Sequence, residues 1–185
     1  NMNIKLPFTD EIVKKLKCGD TITVTGTVYT ARDAAHKRMI EQLASGTALP
    51  FDVKNACIYY AGPCPAKPGH VIGCGPTTSG RMDAYTPLLL DMGLKAMIGK
   101  GERSAEVIDA MVRNCAVYLG AIGGAGALYA QCIKSVEVIA YDDLGPESIK
   151  KLTVENMPLT IVIDCEGNNL YEINLKICDK LLKKE

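Results

Sequence analysis

Apolar and polar positions along this chain follow two periods in turn. "TITVTGTVYTA" (residues 21–31) sets apolar or β-branched residues at alternate positions, the pattern of a half-buried strand. The preceding "TDEIVKKLKCGD" carries the cap and spacing of a helix ending at Gly19. In "RDAAHKRMIEQLASG", Ala35, Met39 and Leu43 recur at helical spacing before Gly46, so Arg32 falls at a strand-to-helix junction and His36 one turn beyond. "ACIYYAG" reads as a second strand, "PCPAKPG" as a stiff proline-rich loop, and "HVIGCG" as a third strand running into a glycine-rich segment. "RMDAYTPLLLDMG" has the apolar content of a helix, with Pro87 tolerable only near its first turn. "KAMIGKG" is a short buried strand ending in Lys100, and "SAEVIDAMVRN" a helix capped by Ser104. "YLGAIGGAGALYAQCI" is too apolar for a linker, and its small residues predict close backbone packing or a tight turn. "VEVIAYDDLG", "PLTIVIDCEGNNLYEI" and a Leu-rich, Lys-rich end complete the pattern, with residues 166–169 reading as a hairpin turn. Strand, glycine-rich loop and helix recur as a unit, which predicts an α/β protein. Hairpin and crossover signals together leave the parallel order open.

Composition narrows the partners more than the fold. The 185 residues suit one domain spanning 1–185, and 21 basic residues balance 21 acidic ones. Such a chain has no electrostatic footprint for nucleic acid or an anionic membrane. No apolar run reaches about 18 residues and the first residues lack a signal-peptide core, so a cytoplasmic protein is the expectation, with Asn1 a remnant ahead of a start at Met2. Eight cysteines invite a metal or disulfide reading, but Cys18, Cys57, Cys64, Cys74, Cys115, Cys132, Cys165 and Cys178 form no CxxC pair. The local set Cys57, Cys64 and Cys74 lacks zinc-finger or ferredoxin spacing. Reduced, structural thiols are expected, alongside the alternative of a cluster built from distant cysteines.

The chemistry concentrates in "GPTTSGRM", residues 75–82, which keeps the glycine spacing of a Walker A loop but places Arg81 where Lys belongs and Met82 where Ser or Thr belongs. Pro76 removes one backbone donor, Met82 removes the magnesium ligand, and a forked guanidinium suits a carboxylate or phosphate side-on. What survives is an anion cradle: Gly75 and Gly80 flank three hydroxyls, with Arg81 opening a helix whose positive end faces the loop. The alternative is a tight turn with Arg81 in a surface ion pair. Two other cations end strands in the same way, Arg32 after "TVYTA" and Lys100 after "KAMIG". In an α/β sheet, ligand sites gather at the carboxyl ends of strands, so the three cations are expected to converge on one small polyanion. His36 reads as a supporting residue before it reads as a general acid or base, and His70 carries no assignment.

"TVYTARDAAHKRM", "GCGPTTSGRMDAY", "AMIGKGERS", "YLGAIGGAGALYAQCI" and "MPLTIVIDCEGNNLYEI", in this order, resemble the carboxyl-terminal domain of class I iron-sulfur fumarases over nearly the entire chain. In two-chain members this domain is a separate β subunit, as in L(+)-tartrate dehydratase. The resemblance implies a swivelling β/β/α fold, a mixed sheet with flanking helices, and a hydro-lyase that interconverts fumarate and L-malate. It also implies a [4Fe-4S] cluster on a partner α subunit, whose open iron acts as Lewis acid on the hydroxyl, with no metal held by this chain. Carried over by motif, Arg32, Thr78, Gly80, Arg81 and Lys100 would grip the dicarboxylate, and Thr77 would serve in proton transfer beside the catalytic cations Arg81 and Lys100. Asp33, His36 and Asp83 would support them, Asp33 by orienting an arginine. Two other readings stand beside this one: a self-sufficient small-anion or nucleotide-binding module, and a noncatalytic scaffold. Substrate choice among fumarate, tartrate and methyl-substituted dicarboxylates stays open.

Overall fold

A computed structural model describes residues 2–62, 64–67, 70–72, 75–121 and 126–184. It contains the strands β1 (Met2–Lys5), β2 (Thr21–Thr30), β3 (Cys57–Tyr59), β4 (Cys64–Lys67), β5 (His70–Ile72), β6 (Ala96–Gly99), β7 (Val117–Ala121), β8 (Ile133–Ala140) and β9 (Ile149–Ile163). The helices are α1 (Asp10–Lys15), α2 (Asp33–Ala44), α3 (Thr86–Asp91), α4 (Ala105–Asn114), α5 (Gly126–Cys132) and α6 (Leu170–Leu182). The main sheet runs β1-β2-β3-β6-β7-β9-β8, and β9 also pairs with β2. That second pairing closes β2, β3, β6, β7 and β9 into a five-strand barrel-like sheet, with β1 and β8 attached outside the ring. β1, β2, β3, β6 and β7 are parallel, while β9 runs antiparallel to β2, β7 and β8. The sheet is therefore mixed, with helices flanking it, as the α/β pattern and the resemblance predicted.

The strands' period of two sorts their side chains between two cores. Cys57 and Tyr59 of β3, Ala96 and Ile98 of β6, and Val117 and Leu119 of β7 enter one core with Val13 and Leu16 from the α1 region and Tyr129 of α5. Ile58, Met97 and Tyr118, one residue out of step, enter the other with Ala35 and Met39 of α2, Leu89 and Leu90 of α3, and Val107, Ala110 and Met111 of α4. A strand buried on both faces reads as a continuous apolar run, which is why "ACIYYAG" and "KAMIG" lack alternation. β2 closes the ring by bending: its register on β9 shifts between Val24 and Gly26, and Gly26 has φ +136°. A Cβ there would lie 2.9 Å from that of Leu6, so this bulge takes glycine.

Local chemistry sets the helix boundaries. Thr9 Oγ1 accepts from the Ile12 N–H at 3.2 Å and Ser104 Oγ from the Val107 N–H at 3.3 Å, each satisfying an orphan first-turn donor. Pro87 sits in the first turn of α3, where its missing N–H costs nothing. Three sequence expectations need correction. The first helix ends at Lys15 instead of reaching Gly19, because Leu16 turns to extended geometry and is fully buried. "PCPAKPG" contains β4, which pairs antiparallel with β5 in a separate two-stranded sheet, so the third predicted strand lies outside the main sheet. A two-stranded ribbon has only edges, and an edge tolerates proline. Residues 166–169 do turn the chain back, closing one antiparallel bridge between Ile163 and Asn169, but no second strand follows and they lead from β9 into α6. Asp164 accepts from the backbone N–H groups of Glu166 and Asn168 at 3.0 and 3.1 Å, and Asn169 caps the helix.

The apolar, small-residue segment packs closely at Gly120, where a Cβ would lie 2.7 Å from Val162 Cγ2. Residues 122–125 of that segment lie outside the described residues. Six cysteines, Cys18, Cys57, Cys115, Cys132, Cys165 and Cys178, are free thiols, and burial pushes Cys57 up to about 12.

Candidate active site

The parallel strands β2, β3 and β6 end on one edge of the ring, and the chain emerging from β2 and from β6 carries a cation singled out above. β2 leads into Arg32, which sits at the N-cap of α2 with extended geometry. Its side chain offers α2 no cap. That role falls to Glu147, whose Oε1 accepts from the Ala34 N–H at 3.3 Å. β3 leads through Tyr60 to Gly62, where a Cβ would lie 3.0 Å from Arg32 Nη1 and 2.9 Å from the Pro146 carbonyl oxygen. Only glycine lets the arginine pass this close to the backbone. Arg32 Nε is buried and has no hydrogen-bond partner among the described residues. β6 leads into Lys100, whose side chain is exposed.

The glycine-flanked loop lies against these ends. The Thr77 N–H donates to the Tyr60 carbonyl at 2.6 Å, the Ser79 N–H to the Lys100 carbonyl at 2.8 Å, and the Lys100 N–H to the Thr77 carbonyl at 3.4 Å. Thr78 and Lys100 thus form a parallel bridge that adds the loop at the carboxyl end of β6. Residues 79–82 coil into one 3₁₀ turn, so Arg81 lies inside that turn, and α3 begins only at Thr86. This corrects the expectation that Arg81 opens a longer helix, whose dipole would have faced the loop. Ser79 is also withdrawn from the cradle: it is buried and bonds Tyr118. Thr77, Thr78 and Gly80 face outward or partly so. Arg81 Nε stands 3.5 Å from Asp33 Oδ1, which ties the loop to the start of α2 beside Arg32.

His36 is fully buried, with its ring 5.5 Å from that of Tyr60 and 6.1 Å from that of Tyr85. Its Nδ1 lies 2.8 Å from the Arg32 carbonyl, an acceptor only, so Nδ1 carries the proton. Burial lowers the imidazole to about 4 despite that bond, so it is neutral at pH 7. Nε2 has no partner among the described residues. Asp83 turns away from the rim: Oδ1 accepts from Arg103 Nε at 2.7 Å and Oδ2 from the Ser104 N–H at 2.8 Å.

Arg103 is the main residue that sequence reasoning passed over. It stands inside the quoted "AMIGKGERS" but looks like a solvated loop charge, whereas its side chain is fully buried. Burial opposes its charge, and the neighbouring Tyr60, Asp83 and Tyr118 outweigh that and hold it protonated above its ordinary value. Lys150, also buried, donates to Ser148 Oγ at 2.8 Å and supports the segment beside Arg32. No period marks either residue.

A cavity of about 220 Å³ adjoins Lys100, lined also by Gly120, Thr160, Tyr171 and Asn174. Among the described residues, no three His, Cys, Asp or Glu side chains are arranged to hold a metal ion. No helix among them is long and apolar enough to cross a membrane.

A barrel-like mixed sheet with cations and hydroxyls at the carboxyl ends of its parallel strands defines a swivelling β/β/α domain with a rim suited to a small anion. The chain belongs to the family described as Fumarase C-terminus, whose model matches residues 1–174. It is 41% identical over 166 residues to the aerobic class I fumarate hydratase of Escherichia coli K12, covering 88% of this chain and 30% of that protein. Over 180 residues it is 41% identical to fumarate hydratase 2 of Leishmania major, covering 94% of this chain and 32% of that enzyme. A protein of Methanocaldococcus jannaschii that carries the provisional name L(+)-tartrate dehydratase subunit beta is 41% identical over 182 residues. There the match covers 94% of this chain and 93% of the relative. The chain thus spans about a third of the fumarate hydratases it matches and nearly all of the tartrate dehydratase subunit.

Proposed function

We propose that this chain is the β subunit of a two-chain hydro-lyase that interconverts fumarate and L-malate. The observation that carries the reading is the joining of Arg81, Thr77, Thr78 and Lys100 on one strand-end rim of a domain from this family. Dehydration removes a weakly acidic proton beside a carboxylate and expels hydroxide from the next carbon. Arg32, Arg81 and Lys100 bind the two carboxylates, and their charge stabilises the carbanion character that develops as the proton leaves. Thr77 Oγ takes up that proton only while passing its own to an acceptor, which we assign to the partner chain. Thr78 and Gly80 complete the carboxylate cradle, while Asp33 and His36 hold Arg81 and Arg32 in place.

In this reading the [4Fe-4S] cluster that the family resemblance implies would be held by the partner chain. It supplies Lewis acidity toward the substrate hydroxyl. A second substrate, L(+)-tartrate, is favoured by one observation: a relative matched over nearly its full length carries the provisional name of L(+)-tartrate dehydratase subunit beta. The test is to assemble the chain with an iron-sulfur α subunit and assay fumarate, L-malate, L(+)-tartrate and methyl-substituted dicarboxylates. Turnover of fumarate and malate by the complex, and none by either chain alone, is expected. A complex that turns over none of the panel would overturn the hydro-lyase reading.

A further inference from the structure

Two loops carry the proposed substrate-binding groups, residues 77–83 and residues 100–104, and a polar network buried beneath them joins the two. The guanidinium of Arg103 lies between two tyrosine rings, its central carbon 5.1 Å from the centroid of Tyr60 and 4.9 Å from that of Tyr118. Its donors then fan out to three separate elements. Nε donates to Asp83 Oδ1 at 2.7 Å, at the end of the loop that holds Arg81. Nη2 donates to Tyr60 Oη at 3.1 Å, beyond the end of β3, and to Thr86 Oγ1 at 3.1 Å, at the start of α3. Thr86 in turn donates to the Met82 carbonyl at 2.7 Å. The second carboxylate oxygen of Asp83 accepts from the Ser104 N–H, so one carboxylate grips both the arginine and the start of α4.

A second strut runs in parallel. Tyr118 Oη donates to the Gly101 carbonyl at 2.8 Å, which leaves its oxygen to accept from Ser79 Oγ at 2.7 Å. The chain Ser79, Tyr118, Gly101 therefore links the residue two positions before Arg81 to the residue after Lys100. Both struts cross from one loop to the other, and neither side chain reaches the rim.

Hydrophobic packing alone could fill this volume at no loss of stability, because a buried ion pair commonly does no better than an apolar replacement. What apolar side chains cannot do is fix two loops at one separation through directional bonds to three elements. Lysine cannot do so either, since it lacks the planar fork. We infer that Arg103, with Tyr118, is a positioning residue that sets the spacing between Arg81 and Lys100, and so the distance over which a dicarboxylate is gripped. The inference rests on the proposed hydro-lyase reading for its consequence in turnover, but the coupling of the loops does not depend on the substrate.

The experiment uses Arg103→Lys and Tyr118→Phe, each assembled with the α subunit, beside Arg113→Gln as a surface control. A displacement of about 1 Å in a reacting group costs on the order of 100-fold in rate. We expect kcat to fall about 10- to 100-fold in both variants, with KM changed less than 5-fold and the thermal midpoint of Tyr118→Phe within a few degrees of the parent. Hydrogen exchange supplies the arm that is blind to activity: amides of residues 77–83 and 100–104 should speed up together in each variant, while those of β6 and β7 hold. Tyr118→Phe keeps the ring and deletes one hydroxyl, so it carries the test if Arg103→Lys fails to fold. Parental kcat in Tyr118→Phe, or faster exchange in only one of the two loops, would overturn the inference. If the parental complex is inactive on every dicarboxylate, the hydro-lyase reading falls, and the exchange pattern still decides whether the network couples the loops.

Discussion

Arg81 and Asp33 meet at 3.5 Å with side chains 54% and 38% exposed, an ion pair of a kind that contributes about 1 kcal/mol or less. In the proposed reading, so weak a pair would orient the guanidinium and yield to a substrate carboxylate. Arg81→Lys keeps the charge and loses the fork, and kcat/KM of the assembled enzyme should fall about 10- to 100-fold with an unchanged circular dichroism spectrum. Parental kinetics in that variant would remove the two-point grip. His36 leads to a prediction about pH. Its folded value, lowered to about 4 by burial, lies below the unfolded value of 6.5, so the unfolded chain binds the proton first as pH falls. Stability linked to this group is therefore complete above about pH 6.5 and is lost between pH 6.5 and 4, by on the order of 3 kcal/mol at the limit. Arg103 disfavours the imidazolium and Asp33 favours it, both less strongly than burial and the Arg32 carbonyl act. The stability gap between pH 7 and pH 5, measured by urea unfolding, should shrink in His36→Gln, and an equal gap in both proteins would exclude the assignment.

At the scale of elements, the junctions that place the site were legible in part. Arg32 was placed at the start of α2 because helical spacing in Ala35 and Met39 fixes that helix, and Pro87 and Ser104 marked the starts of α3 and α4. β4 was hidden because three prolines in one short segment signal a loop, and nothing local announces an edge ribbon. Turn residues 166–169 are equally ambiguous, since Gly and Asn serve a hairpin and a helix cap alike. Arg103 was illegible for a different reason: its burial depends on tyrosines brought in from distant elements, while Lys150 bonds the nearby carbonyls of Gly145, Pro146 and Ser148 in a segment with no period to mark it. Gly99 tests how tightly the loop sits on β6. A Cβ there would overlap Ser79 Oγ and lie 2.8 Å from Cδ2 of the fully buried Tyr60 ring. Gly99→Ala should push the 77–83 loop off the carboxyl end of β6, lowering kcat at least 10-fold and stability by about 1–3 kcal/mol. An alanine variant with parental activity and thermal midpoint would show that the loop does not need this contact.

For the whole molecule, the decisive property is that the rim lies open. A charge pair at 4 Å is worth about 1 kcal/mol in water and about 4 kcal/mol at an effective dielectric constant of 20. Arg81 and Lys100 are exposed in this chain, so the two cation-carboxylate contacts they make on it alone sum to roughly 2 kcal/mol. That is less than the ~4 kcal/mol or more lost in translational and rotational freedom on association. The isolated chain should therefore show no heat of binding with fumarate or L-malate up to about 10 mM, and none with ATP and magnesium. In the proposed two-chain enzyme, a partner that covered the rim and excluded water would strengthen the same contacts several-fold, and sub-millimolar affinity for the dicarboxylate would follow without any new contact from this subunit. Calorimetry on the chain and on the assembled complex separates the cases. Micromolar binding of a dicarboxylate to the chain alone would mean that the site is complete within it, and the shared-site reading would then give way to that of a self-sufficient anion-binding module.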